Sequence, residues 1–261
     1  MELRGAVCLV TGASSGIGRE TAIALATRGA VVAVSARRKD KLDDTLAECR
    51  RHSPGSISVQ CDVSDADAVG RMVDEVLRAV GGVDVLVANA GIGRFASFDE
   101  ETIETIDAQV RTNLLGQMYC AHAVLPHMKE RRRGHLVFLS STNGRIPPAL
   151  QSVYNATKFG TVGFAETLSY EVKPFGIGVS IVYPGPIETE FFAAPEFERM
   201  RKPKLLPASR MAEAIVKGIE REKFDVSYPW ALKIPAKMRA LFPGMIRRGV
   251  ANYAKKAIPR P

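Results

Sequence analysis

Short apolar runs at 6–11, 31–36, 57–61, 83–88, 135–140 and 178–183 punctuate the chain, and amphipathic stretches of helical period fill the gaps between them. Brief Val/Ile/Leu-rich runs read as strands buried on both faces, and a 3.6-residue period reads as a helix. Their alternation predicts an α/β fold, a doubly wound parallel sheet of about seven strands with helices on both faces. The helical pattern is strongest near 65–80, 99–130 and 152–175. No internal repeat, low-complexity tract or linker divides the 261 residues, so one large domain is expected over 1–225, with 226–261 as an extension of it.

Glycine and polar residues collect at the predicted strand ends. Thr11-Gly12-Ala13-Ser14-Ser15-Gly16-Ile17-Gly18 follows the first strand and opens a helix. There, glycines permit a tight turn and close backbone approach to a pyrophosphate, and the helix N-terminus supplies oriented N–H groups. This context makes the sheet Rossmann-type. The second strand ends in Ala36 and then Arg37-Arg38. An acidic residue at that place would bind both ribose hydroxyls; two guanidiniums suit a 2′-phosphate, which favours NADP(H) over NAD(H). Asp62, next to Val63 after the third strand, is placed either to accept from an adenine amine or to cap a turn before Ser64, itself a candidate N-cap. The fourth strand runs into Asn89-Ala90-Gly91, small residues that would admit a flat ring and a ribose. Asn113 interrupts the long helical stretch from about 99, where its amide competes for backbone hydrogen bonds. It is either a tolerated surface residue or a polar group held inside for a purpose. Pro184-Gly185-Pro186-Ile187-Glu188-Thr189 leaves the sixth strand as a stiff turn.

The candidate chemistry centres on Ser141 and on Tyr154-Asn155-Ala156-Thr157-Lys158. Residues 151–170 read as a helix, so Tyr154 and Lys158, four apart, share a face. An ammonium beside a phenol favours the phenolate and lowers its pKa towards a usable acid/base. Ser141, at a strand end, is placed to bring a hydroxyl to the same substrate oxygen.

With these motifs in this order, the chain resembles the short-chain dehydrogenase/reductase superfamily over roughly residues 5–225, in its T-G-x-x-x-G-x-G / Y-x-x-x-K subgroup. Ala88 departs from the family, where a second asparagine is frequent. The resemblance implies hydride transfer between a nicotinamide and a carbonyl or carbinol carbon, with Tyr154 as acid/base and Ser141 bonded to the reacting oxygen. It also implies that Lys158 contacts the ribose, that Asn113 holds a proton-relaying water, and that Thr189 and the Ile187 backbone fix the carboxamide. It implies a homodimer or homotetramer through the helices near 99–130 and 152–175. A non-catalytic NADP(H) sensor or scaffold on the same fold is the alternative.

The substrate side, with Phe95, residues 146–150 and Glu190 to Met200 including Phe191 and Phe192, is largely apolar and points to a lipophilic alcohol or ketone. Composition adds three things. Cys8, Cys49, Cys61 and Cys120 are widely spaced, and the strand pattern starting at Ala6 leaves no room for a cleavable signal peptide, so a reducing, cytoplasmic setting is expected. His52, His122, His127 and His135 form no i,i+4 pair, which argues against a metal site. The net charge of +8 lies entirely beyond residue 225: Lys233, Lys237, Arg239, Arg247, Arg248, Lys255, Lys256 and Arg260 face no Asp or Glu there, while residues 1–225 carry 28 charges of each sign. Nucleic-acid binding by the body is therefore not expected. The tail interleaves these cations with large apolar residues, and Pro235 and Pro243 are expected to divide it into short helices. It either lies on an anionic membrane surface or packs on a protein core, its own or a neighbour's.

Overall fold

A computed structural model describes residues 1–193 and 204–257. Every apolar run is a strand: β1 (Val7–Thr11), β2 (Val31–Ala36), β3 (Ile57–Gln60), β4 (Val85–Ala88), β5 (Gly134–Leu139) and β6 (Ile177–Pro184). With β7 (Asp225–Tyr228) they make one parallel sheet in the order β3-β2-β1-β4-β5-β6-β7. Strand order reverses between β1 and β4, and that switch point opens a crevice at the carboxyl ends of the strands.

Side chains alternate between two apolar layers. Cys8 and Val10 of β1, with Val137 and Leu139 of β5, pack beneath α1 (Gly16–Thr27), α2 (Lys39–Arg50) and α7 (Ala208–Glu220). Leu9, Leu136 and Phe138 face the other way, beneath α3 (Ala66–Val80), α5 (Gly116–Glu130) and α6 (Ser152–Val172). Central strands covered twice must be apolar at every position, which is why the runs are continuous. Each fully buried Leu or Phe contributes roughly 1.5–3 kcal/mol.

Several expectations change. The stretch near 99–130 is no single helix: α4 (Ile103–Val110) passes through a π-helical turn, Arg111–Leu115, before α5 begins. Asp65, not Ser64, caps α3, its Oδ1 accepting from Asp67 N (2.9 Å) and Ala68 N (3.0 Å). The boundary drawn between residues 225 and 226 falls inside β7, whose register pairs Ile181 with Asp225 and Val182 with Val226. An edge strand reading Asp-Val-Ser-Tyr has no continuous apolar run to announce it. In the tail, Pro243 starts α9 (Pro243–Ala257), but Pro235 sits within the first turn of α8 (Lys233–Leu241), where its missing N–H has no partner to lose. The four cysteines are free and buried. His135, expected near a turn, lies in β5 with a ring nitrogen 2.7 Å from Ser180 Oγ, and burial pulls its pKa down to about 4. Among the described residues, no helix is long and apolar enough to cross a membrane, and no His/Cys/Asp/Glu group could hold a metal.

Candidate active site

A cleft of about 620 Å³ occupies the switch point, between the strand ends and the turns that leave them. Its floor is the glycine turn. Gly12 (φ +65°) and Gly16 (φ +56°) adopt the left-handed conformation that a side chain disfavours. Space forbids a Cβ as well: one on Gly12 would lie 2.7 Å from Ala90 Cα, and one on Gly18 2.4 Å from both Asn89 Nδ2 and Gly12 O. The contact is this close because two turns are tied together. Asn89 Nδ2 donates to Thr11 O (2.9 Å) and Gly12 O (3.2 Å), and Thr11 Oγ1 accepts from Asn89 N (3.1 Å) and Ala90 N (3.3 Å). Ala88 is fully packed in the layer beneath α3 and α5, an apolar residue in an apolar place.

Ser14, Ser15, Gly16 and Ile17 bring the start of α1 to the cleft. Arg38 Nη2 spans Ser14 Oγ (3.0 Å) and Ser15 Oγ (2.9 Å), and its Nη1 lies 2.7 Å from Glu190 Oε2. Lys41 also donates to Glu190, and the hydrogen bonds from Lys41 and Arg38 hold that carboxyl down at about 2. Arg37 Nη1 is 3.6 Å from Asp62 Oδ2, while Asp62 Oδ1 accepts from Ser64 N (3.0 Å) and Ser64 Oγ (2.8 Å). Asp62 therefore does the turn-capping of the second alternative while also lining the cleft with Val63. The glycine cradle and the amide end of α1 at the cleft fit the pyrophosphate of a nicotinamide dinucleotide, and Arg37 and Arg38 stand at the end of β2, beside the place of its adenine ribose.

At the other end, α6 carries Tyr154 and Lys158 on one face, and β5 delivers Ser141. Ser140 and Ser141 part company here. Ser140 Oγ donates to Lys158 O (2.9 Å), locking strand to helix, whereas Ser141 Oγ accepts from Asn143 N (3.1 Å) and faces the Tyr154 hydroxyl, whose pKa it lowers. Burial pushes the Tyr154 pKa up to about 12, and the nearby Ser141 hydroxyl opposes this only partly. The expected acidification by Lys158 is thus not realised in this arrangement. Lys158 Nζ sits 5.4 Å from the Tyr154 ring centroid and donates to Leu139 O (2.9 Å), and burial lowers its own pKa to about 8.

Asn113 is wholly buried in the π-helical turn, which settles its alternatives. Its Oδ1 accepts from Ile92 N (2.8 Å), and its Nδ2 donates to Ile92 O (2.8 Å) and Thr157 Oγ1 (3.2 Å). The side chain thus pairs with an isolated backbone segment as a strand would, and braces it against α6. Of the anticipated site residues, only Asn113 and Gly18 stand behind the cleft wall. Gly91, Pro184, Gly185, Ile187 and Thr189 line it with the rest.

On the substrate side, Phe191 stacks 5.4 Å from Tyr154 and 5.2 Å from Phe192, and Pro148 completes the wall. Phe95, expected there, is buried at 3% exposure and does not reach the cleft surface, although Ala96 N beside it donates to Leu150 O (2.9 Å) of the anticipated wall. Residues 194–200 of the anticipated substrate wall, and Arg260 of the tail, lie outside the described residues. Glu190 as the partner of Arg38 and Lys41 was not legible in sequence, because it is more than a hundred residues from either. The same holds for Leu139 O as the Lys158 acceptor, since a backbone carbonyl carries no sequence signal.

Comparison with known proteins bears on this geometry. A family model described as short chain dehydrogenase matches residues 6–198. An uncharacterized oxidoreductase of Myxococcus xanthus is 35% identical over 242 residues, covering 93% of this chain and 94% of that one. The 11-beta-hydroxysteroid dehydrogenase 1A of Arabidopsis thaliana is 35% identical over 264 residues, covering 95% of this chain and 75% of the plant protein. Among solved structures, a short chain dehydrogenase/reductase from Burkholderia phymatum in complex with NAD superposes with a TM-score of 0.86 at 24% identity, covering 94% and 96% of the two chains.

Proposed function

The chain belongs to the short-chain dehydrogenase family and is an oxidoreductase of CH–OH groups; from that premise we propose that it interconverts a lipophilic secondary alcohol and its ketone, using NADP(H). The observation that carries the reading is the meeting of the Ser141 and Tyr154 hydroxyls one helical turn from Lys158, in the same cleft as the glycine turn. The nicotinamide supplies or accepts the hydride. Gly12, Ser14, Ser15, Gly16 and Ile17 would hold its phosphates, Arg37 and Arg38 the 2′-phosphate, and Asn89, Ala90, Gly91, Pro184, Gly185, Ile187 and Thr189 the nicotinamide half.

Chemistry on the substrate oxygen falls to the protein. A Tyr154 whose pKa stands near 12 rests protonated, ready to give its proton to an oxygen that gains charge, which supports reduction of a carbonyl. Ser141 donates to the same oxygen and stabilises the developing charge. Lys158, at about 8, can take up and release a proton near neutrality and so recharge Tyr154. Asn113 holds the Ile92 segment and α6 at fixed separation behind them.

Phe191, Phe192 and Pro148 bring no cation to a substrate, and one relative is named a hydroxysteroid dehydrogenase; both support a lipophilic carbonyl. The NADP(H) preference rests on Arg37 and Arg38, since the Burkholderia neighbour holds NAD. Ile103 (76% exposed) on α4 and Tyr170 (68%) on α6 support a homodimer or homotetramer through these helices, and the four buried thiols support a cytoplasmic setting.

Titration with NADPH and NADH, followed by turnover on a panel of steroid, fatty and aromatic ketones, tests the reading. Tighter NADPH binding is expected, with turnover at least ~100-fold lower in Tyr154→Phe and NADPH still bound. Full activity in that variant would remove the mechanism, tighter NADH binding would reverse the cofactor assignment, and binding without turnover would leave a non-catalytic sensor or scaffold.

A further inference from the structure

Beyond β7 the chain turns through Trp230–Leu232 into α8 and α9, and Leu232 and one side of α8 are tied to the body. Lys233 Nζ bonds Asp225 Oδ1 (3.0 Å), Arg239 donates to the Arg145 carbonyl and lies 5.2 Å from the Phe159 ring, and Leu232 is packed on Gly185 at the cleft wall. These contacts use two of the tail's cations as fasteners.

The side turned away from the body has a different character. Trp230 is 72% exposed, Ile234 54%, Leu241 71%, Phe242 54% and Met245 52%, in a protein whose other large apolar residues are mostly interior. Ile234, Lys237 and Leu241 are spaced i, i+3 and i+7, so one exposed face of α8 carries an apolar residue on either side of a cation. The corner from Leu241 to Met245 is exposed at every residue, and Arg247 and Arg248 follow directly. Lys237, Arg247 and Arg248 make no ion pair among the described residues. No Asp or Glu occurs from Val226 onward, so no acidic side chain of the segment competes for them.

We propose that this face is a docking surface for an anionic lipid membrane: Leu241, Phe242 and Met245 enter the acyl boundary while Lys237, Arg247 and Arg248 meet the headgroups. A nucleic acid would satisfy the cations but leave the aliphatic corner in water, and a protein core would take the apolar groups but strand the cations. A lipid surface accommodates both, because long basic side chains reach the headgroups while their stems lie in the apolar layer. Neither helix can span a bilayer, so the segment lies in the interface plane. An unpaired basic residue near an anionic surface strengthens binding about fivefold, so the three together are worth roughly a hundredfold.

Flotation of the full chain with phosphatidylcholine vesicles, with and without about a third phosphatidylserine, tests this. Co-flotation is expected only with the anionic lipid, weakening as salt rises. Trp230 is the single tryptophan and already exposed, so its emission should shift to the blue on docking without any label. The triple variant Lys237→Glu/Arg247→Glu/Arg248→Glu should lose about a hundredfold or more in vesicle affinity, and Leu241→Ser/Phe242→Ser should lose binding at any salt. Both variants should keep wild-type melting curves, since every altered residue is exposed. Equal recovery with neutral and anionic vesicles, or undiminished binding by the charge variant, would overturn the proposal. So would failure to bind lipid combined with a change of oligomeric state in Leu241→Ser/Phe242→Ser, which would make the face a contact between copies.

Discussion

Lys158→Met in the cofactor-free protein isolates the energetic burden of a buried ammonium. The side chain is 3% exposed, and among the described residues its ammonium donates to a neutral carbonyl, Leu139 O at 2.9 Å, and faces the Tyr154 ring at 5.4 Å, with no carboxylate beside it. Burial penalises the charged form, so the folded pKa is about 8 against 10.5 for the free side chain. Between these values the unfolded chain binds more protons than the folded one, so this group makes stability rise with pH. Below the folded value the full penalty is present; above the unfolded one it is gone. A gap of that size corresponds to roughly 3 kcal/mol, or on the order of 6–12 °C in Tm for a chain of this length. Other groups titrate in the same window, so the measured quantity is the difference between wild type and Lys158→Met in urea denaturation followed by far-UV circular dichroism, from about pH 7 to pH 10.5. Wild type should gain on the variant by roughly 3 kcal/mol over that range. Parallel stability curves would show that Lys158 is not desolvated in the fold, and the proton-relay role drawn from its lowered pKa would go with it.

Three further outcomes follow from distances in the cleft. Glu190→Gln removes the carboxylate that occupies Arg38 and Lys41; since these groups are 43–49% exposed, solvent screening limits the ion pairs to about 1 kcal/mol. NADPH should then bind roughly fivefold tighter by calorimetry with NADH unchanged; an equal effect on both cofactors would show that Glu190 does not compete with the 2′-phosphate. Asn113→Ala removes the partner of the half-buried N–H and C=O of Ile92 and should lower unfolding free energy by about 1–3 kcal/mol; a loss under about 0.5 kcal/mol would mean water replaces the amide without penalty. Gly18→Ala drives a Cβ to 2.4 Å from Gly12 O, whereas Gly70→Ala in α3 meets nothing within 4 Å. The first should destabilise by about 1–3 kcal/mol and weaken NADPH binding, and the second should stabilise by about 0.5–1 kcal/mol; similar melting shifts for the two would refute the packing argument.

What the sequence determined alone was whatever depends on neighbours along the chain. Continuous apolar runs specified the central, double-covered strands and a shorter run the edge strand β3, the period of 151–170 put Tyr154 and Lys158 on one face, and the first glycine turn declared itself by its place between a strand and a helix. Charge counting located the basic excess in the tail, and the pattern gave both of its readings. Tertiary structure decided everything that depends on what stands opposite. It showed Asn113 as a buried brace rather than a surface residue, because its partners on Ile92 and Thr157 come from other elements. It separated Ser141 from Ser140, adjacent in sequence but turned to different partners. It reversed the expected direction for Tyr154, since helical spacing brings an ammonium near but cannot say how much water burial removes. It also set Glu190 on Arg38 and left the Leu241–Met245 corner in solvent. A one-dimensional pattern reports the period of a side chain's own element; hydration, and with it pKa and exposure, is fixed only when the other elements have packed around it.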